Sequence, residues 1–291
     1  VIRIEKLADC TMADGAEAWN RGFEGYFFDM TTTPEAFEKR LDQEGLAPEL
    51  SLVVFHGGQP AGLVLNGIRK SGNKKIGWNG GTGVASSLRG SGIGKKLMEQ
   101  TLAIFKANGV QTATLEAIKE NDPAIALYEK VGYRIIDRLQ FLHLHGEVEH
   151  SMEPARFFRT ERTIPEKAGE LPFYRSAYPW QTLWQSAKGG EALIAFDETG
   201  QPAGYAVFRK AYDETGMHTA TVLLQCEADP AIQDACKVIG QLLAETFDGF
   251  TGEIKRVAVN IPVTRSADTL KILHDRGFQV TSEQVDMAKE L

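Results

Sequence analysis

The sequence predicts a mixed α/β architecture, an α+β mixed sheet with flanking helices, present twice in tandem. Length is the first reason: 291 residues suffice for two domains that each bury a core of their own. An internal repeat is the second. Leu52-Val53-Val54-Phe55 followed by Gly58-Gln59-Pro60-Ala61-Gly62 returns as Leu193-Ile194-Ala195-Phe196 followed by Gly200-Gln201-Pro202-Ala203-Gly204, and residues 126–133 are echoed by 271–278. The third is the alternation of strand-like and helix-like runs through the first half. The polar stretch 146–154, between a strand-like run and an aromatic-rich segment, sets the expected domains at 1–147 and 155–291.

In the first half the start, Ile2-Arg3-Ile4-Glu5-Lys6, alternates as a strand does, and helices follow over about 12–45. Residues 51–69 read as a hairpin about a Gly/Pro turn, and 75–84 as a strand. A glycine-rich turn then leads into a helix ending near 107, whose apolar stripe is Ile93, Leu97, Met98, Thr101, Leu102, Ile104 and Phe105. Gly109 is its expected terminator. A strand (110–118), a helix (123–131) and final strands (133–144) complete the half. Asp122 is expected to cap that second helix, Pro123 to open it and Gly132 to close it.

Composition narrows the function classes. With 43% hydrophobic and 24% charged residues the chain is globular. A net charge of -7 offers no footprint for a polyanion, so nucleic acid is not an expected partner, whereas a cationic amine substrate fits. No apolar run approaches membrane-spanning length and the start does not resemble a signal peptide, so a cytoplasmic location and no membrane association are expected. Cys10, Cys226 and Cys236 lack metal or redox spacing and read as buried reduced thiols. His143 and His145 share one strand face without a third ligand nearby, so no metal is expected.

The chemistry concentrates in two motifs. In Val84-Ala85-Ser86-Ser87-Leu88-Arg89-Gly90-Ser91-Gly92-Ile93-Gly94 a strand passes through glycines into a helix, which leaves backbone N–H groups unpaired at the positive end of the helix dipole. Such a turn binds phosphate. Lys95 stands where the dinucleotide fingerprint GxGxxG needs its third glycine, and a Walker A loop, GxxxxGK followed by Ser or Thr, is matched neither by the spacing nor by Lys96. The second motif is Asn121-Asp122-Pro123-Ala124-Ile125-Ala126-Leu127-Tyr128-Glu129-Lys130-Val131-Gly132-Tyr133.

Together, across residues 75–137, these motifs resemble the GNAT superfamily of acyl-CoA-dependent N-acyltransferases. The resemblance implies acetyl-CoA as co-substrate, held by Val84, Ala85, Arg89, Gly90, Ser91, Gly92, Ile93 and Gly94, with Asn121 on the pantetheine arm and Tyr128 near the sulfur. A phenol in an apolar site can protonate the departing thiolate, so Tyr128 is the expected general acid. A backbone N–H near Val84 would meet the oxyanion. Many family members carry a glutamate on the strand before the turn, but residues 76–84 hold no carboxylate. Glu116, Glu24, Asp29 or a water chain are the alternatives for the base. Trp78, Asn79 and the four glycines of that strand suggest an open groove for a small-molecule or peptide amine, although glycine equally marks a bulge.

The second half repeats the hairpin, a helix (231–247), a strand (254–261) and the helix end before Phe278, but has Leu224-Gln225-Cys226-Glu227-Ala228-Asp229-Pro230 in place of the turn. Its acidic residues repel pyrophosphate. Ser266 stands at the asparagine position and Leu273 at the tyrosine position. This half resembles a degenerate GNAT domain, and its aromatic opening, from Phe157 to Trp184, is expected to shape the amine site. The reading is an N-acetyltransferase working by direct attack in a ternary complex, the alternative a non-catalytic acyl-CoA-binding sensor or scaffold.

Overall fold

The computed structural model describes residues 1–146 and 157–291. Of the stretch expected to separate two domains, all but Gly146 lies outside the described residues. The chain divides into two compact units, one of Val1–Ile136 with Asp286–Leu291 and one of Asp137–Val285. This differs from a division at 147–155 because strands carry the chain across each boundary.

The first unit begins with β1 (Ile2–Lys6), α1 (Met12–Gly22) and α2 (Pro34–Glu44). Local chemistry sets the helix starts: Thr11 and Asp14 form a reciprocal capping box at α1, while Thr33 caps α2 ahead of Pro34. β2 (Leu52–His56), β3 (Gln59–Ser71) and β4 (Lys74–Val84) form a meander. α3 (Ile93–Ala107), β5 (Thr112–Ile118) and α4 (Asp122–Lys130) follow, and α3 buries the expected stripe except Ile104, which is half-buried. β6 (Arg134–Leu144) is a single strand that leaves the unit at Ile136.

The second unit contains the rest of β6, then β7 (Arg159–Thr163), α5 (Pro165–Gly169), β8 (Glu191–Phe196), β9 (Pro202–Tyr212) and β10 (His218–Ala228). α6 (Ala235–Thr246), β11 (Lys255–Pro262), α7 (Ala267–Asp275) and most of β12 (Gln279–Glu290) complete it. Strand order is β1-β2-β3-β4-β5-β12 in the first unit and β12-β6-β11-β10-β9-β8-β7 in the second. The first unit is thus closed by the chain's last residues: Leu291 N–H bonds the Gln111 carbonyl at 2.9 Å and Lys289 Nζ bonds the Val131 carbonyl at 2.5 Å, at the C-terminal end of α4.

Tyr178 and Trp180 are buried, and Phe173 and Tyr174 pack on Tyr205 in the second unit's core. These rings are packed within that unit. Of the cysteines, Cys226 is buried, Cys10 half-buried and Cys236 exposed. Among the described residues no helix is long and apolar enough to cross a membrane.

Candidate active site

The site begins where two neighbouring strands part. β4 and β5 pair in parallel from Ile76↔Thr112 to Asn79↔Leu115 and no further. At the same point β4 bulges against β3: Leu65 faces Gly81 and Asn66 faces Asn79, so Gly80 is the extra residue. Beyond the bulge Thr82, Gly83 and Val84 line a cavity of about 580 Å³. The opposite wall comes from α4, through Asn121, Pro123, Ala124, Leu127 and Tyr128, and one end from the glycine turn.

The turn is built to expose donors. Gly92 opens α3 at φ 87° with no side-chain cap, and the first helical bond runs from Lys96 N–H to the Gly92 carbonyl at 3.0 Å. The N–H groups of Ile93, Gly94 and Lys95 therefore point out of the helix end. Nothing lies within 4 Å of where a Cβ would stand at Gly90 or Gly92. Open space, helix-end donors and the neighbouring Lys95 together fit a phosphate. Arg89 lines the cavity, but its guanidinium is engaged by the backbone: Nε bonds the Val84 carbonyl at 3.0 Å and Nη2 bonds the carbonyls of Gly22 at 3.3 Å and Glu24 at 3.0 Å. It clamps the turn to the end of α1. Ser91 Oγ turns onto the Leu88 carbonyl at 2.5 Å, and the Ile93 side chain is buried, so these two offer backbone only.

Tyr128 lies at the centre of the cavity wall, 7% exposed. Burial pushes its hydroxyl up to about 12, opposed by a hydrogen bond from Thr82. The phenol consequently keeps its proton at neutral pH. Asn121 is the N-cap of α4, its Oδ1 accepting from Ala124 N–H at 3.3 Å, a role the sequence had suggested for Asp122. Its amide also bonds the Tyr26 hydroxyl, whose pKa burial raises and that bond lowers.

Several expected site residues lie elsewhere. Trp78 is 2% exposed and donates from Nε1 to Glu116 Oε2 at 2.7 Å, while Asn79, 4% exposed, bonds Thr82 and Met98; neither lines the cavity. Glu116, held against that indole, does not line it either, which removes the geometric basis for Glu116 as base. Ala85 is outside the lining and its N–H is taken by the Ala61 carbonyl at 2.8 Å. Three of the strand's glycines make no groove: a Cβ at Gly77 would meet the Phe105 ring at 2.8 Å, at Gly80 the Trp78 ring at 2.6 Å, and at Gly81 the Trp19 ring at 2.9 Å. Gly83 lets the backbone of Gly22 approach, a Cβ there falling 3.0 Å from it. Among the described residues no group of three or more His, Cys, Asp or Glu side chains that could hold a metal ion is found.

The sequence reading offered Glu24 and Asp29 from the segment between α1 and α2 as candidate bases but missed that segment's aromatic residues. Phe23, Gly25, Tyr26 and Phe27 line the cavity and a second one of about 360 Å³, where Glu24 and Asp29 sit. Two bonds from Thr31 hold the exposed Asp29 carboxylate below its ordinary range. The available signal was Phe27 and Phe28, apolar yet 50% and 52% exposed in a polar connection.

Residues 14–133 match the Acetyltransferase (GNAT) family. The chain is 30% identical over 104 residues, 35% of its length, to the N-alpha-acetyltransferase MAK3 of Arabidopsis thaliana, of which the match covers 53%. It spans about half the length of the curated relatives it matches. Among solved structures, a tandem GNAT protein from the clavulanic acid biosynthesis pathway aligns at TM-score 0.61 and 14% identity over 100% of this chain and 98% of the other. A GCN5-related N-acetyltransferase from Sphaerobacter thermophilus aligns at TM-score 0.63 and 17% identity over 100% and 95%. At these identities the structural likeness speaks for the fold.

Proposed function

We propose that this chain, whose residues 14–133 match the Acetyltransferase (GNAT) family, transfers the acetyl group of acetyl-CoA to a primary amine by direct attack in a ternary complex. One observation carries the reading: a single cavity joins a phosphate-binding helix end to a buried phenol with its proton on. The exposed N–H groups of Ile93, Gly94 and Lys95, with the Lys95 and Lys130 side chains on the cavity wall, would hold the pyrophosphate end. The thioester supplies the acyl group, and Asn121 and Leu127 line the path between the two ends.

The amine enters beside Tyr26. Among the described residues the main cavity is lined by no carboxylate or imidazole. The ammonium therefore loses its proton before attack, to water in the second cavity beside Glu24 and Asp29. As the amine nitrogen bonds the acyl carbon, the backbone N–H near Val84 stabilises charge on the carbonyl oxygen and Tyr128 gives its proton to the sulfur. The acceptor is a small-molecule or peptide amine; likeness to an N-alpha-acetyltransferase favours an α-amino group.

Calorimetry with acetyl-CoA tests the site. Gly92→Asp forces a side chain onto a backbone at φ 87° and places a negative charge at the helix end. Affinity should fall by roughly 10²-fold. Undiminished affinity overturns the assignment. Release of free CoA with tryptamine, benzylamine, putrescine and free-N-terminal tetrapeptides tests turnover; binding without turnover on any of them would mark a scaffold instead.

A further inference from the structure

Two polar side chains, Asn79 and Thr82, stand in the otherwise glycine-rich end of β4. Asn79 sits beside the bulge, its Oδ1 accepting from Gly81 N–H at 2.9 Å, and its Nδ2 donates to Thr82 Oγ1 at 2.7 Å. Thr82 in turn lines the main cavity and hydrogen-bonds the Tyr128 hydroxyl. Direction follows from donor counting. The Asn79 amide nitrogen is donor only, so Thr82 Oγ1 receives there and its own hydrogen is left for another acceptor. Tyr128 is one acceptor for it and Met98 Sδ, a weak acceptor at 3.5 Å, is another.

We infer that Thr82, held by Asn79, is a positioning residue that donates to the Tyr128 oxygen, so that the Tyr128 proton is aimed into the cavity and the phenolate left behind is stabilised. The inference rests on the reading of Tyr128 as proton donor. In the step it serves, the Tyr128 O–H bond breaks with its electron pair staying on oxygen, an S–H bond forms on the departing thiolate, and the proton from the acylated nitrogen restores the phenol. The net change is amine plus thioester to amide plus thiol. Two further observations agree with this direction. The Thr82 bond counts among the causes that lower the Tyr128 pKa against burial, the sign expected of a bond that stabilises the phenolate.

The repeat supplies the second. Gly62 pairs Val84 and its counterpart Gly204 pairs Ala228; each strand also bulges by one residue, at Gly80 and at Leu224. Counting back from these pairs, Cys226 stands at the Thr82 position and Leu223 at the Asn79 position, and the helix position of Tyr128 holds Leu273. Where the phenol is gone, its donor and the donor's support are gone as well.

Steady-state kinetics with the fastest amine of the panel above test this. Thr82→Val keeps the shape and removes the donor; kcat should fall by roughly 10-fold, with amine KM and acetyl-CoA affinity within about twofold. Thr82→Ser should restore most of the rate. In a Thr82→Val/Tyr128→Phe double variant the threonine change should cost nothing beyond the loss already caused by Tyr128→Phe. A wild-type kcat in Thr82→Val, failure of serine to rescue, or additive losses in the double variant would overturn the relay. A wild-type rate in Tyr128→Phe sinks the proton-donor reading itself, a separate outcome.

Discussion

The two units share one backbone at the end of the fourth strand of each repeat and fill it with opposite chemistry. Ala85 N–H bonds the Ala61 carbonyl at 2.8 Å and Asp229 N–H bonds the Ala203 carbonyl at 2.9 Å, so the strands end in the same register. In the first unit the residues past the bulge are Gly81, Thr82 and Gly83, and the chain enters α3 through glycines that leave donors exposed. In the second they are Gln225, Cys226 and Glu227. Gln225 accepts from Tyr205 at 2.8 Å, while Glu227 accepts from Tyr178 at 3.1 Å and from Ser266, which occupies the place of Asn121 at the head of the helix. Past Ala228, Asp229 takes the Ala231 N–H at 2.8 Å, satisfying by its own side chain a donor in the turn. The fold thus tolerates either an open cleft or a closed polar network here. Which one forms depends on a few side chains, and glycine at position 83 decides most.

Transplanting that one residue breaks the comparison most severely. In Gly83→Glu the new Cβ would sit 3.0 Å from the Gly22 backbone, which cannot yield as a side-chain tip can. α1 would have to move, taking with it the carbonyls that Arg89 clamps, and a carboxylate would face the phosphate site. We expect acetyl-CoA affinity to drop by at least ~10³-fold in calorimetry, beyond the cost of a bad contact alone. Near-normal affinity would show that the glycine is not what keeps the cleft open.

Next in size is the tyrosine that the second unit replaces by Leu273. Tyr128→Phe keeps the ring, including its edge contact with Tyr133 at 6.3 Å, and removes only the hydroxyl. Turnover should fall by about 10²-fold with little change in acetyl-CoA affinity. The sign of the pH dependence also follows. With the phenol pushed up to about 12, wild-type activity should rise as the amine deprotonates and show no alkaline decline below about pH 10. An unchanged rate in Tyr128→Phe, or a wild-type decline near neutrality, contradicts the assignment.

Both motifs were legible in the sequence because each is local: the glycine turn and the two ends of α4 are fixed by neighbours a few residues away, although the cap expected at Asp122 is one residue earlier, at Asn121. The hairpins of the repeat were legible for the same reason. What the sequence hid depends on distant partners. Trp78 looked like a groove wall because nothing in its own strand announces Glu116, 38 positions on, as its hydrogen-bond partner. The pairing of β12 beside β5 joins the chain's last residues to its first half, and no periodicity in β12 could disclose that. Thr82 was passed over among glycines, since its value lies in where Asn79 and Tyr128 converge.

The smallest effect sharpens the comparison from the other side. Glu227 is 5% exposed and burial pushes its carboxyl from an ordinary 4.5 up to about 7, against bonds from Ser266 and Tyr178 and the nearby charge of Arg175. Asp268 pushes the same way as burial. Between those two values the folded protein keeps a proton that the unfolded chain releases. The group's contribution to stability is therefore fully present below about pH 4.5 and is lost as pH rises through about 7. Glu227→Gln keeps the hydrogen-bonding shape and cannot ionise, so it should lose this dependence. Relative to wild type, the variant should gain about 2 kcal/mol on going from pH 5 to pH 7.5, read from denaturant unfolding of the full chain at each pH. Parallel stability curves for the two proteins would mean that Glu227 is charged throughout and that the closed network of the second unit is held by an ion instead of a shared proton.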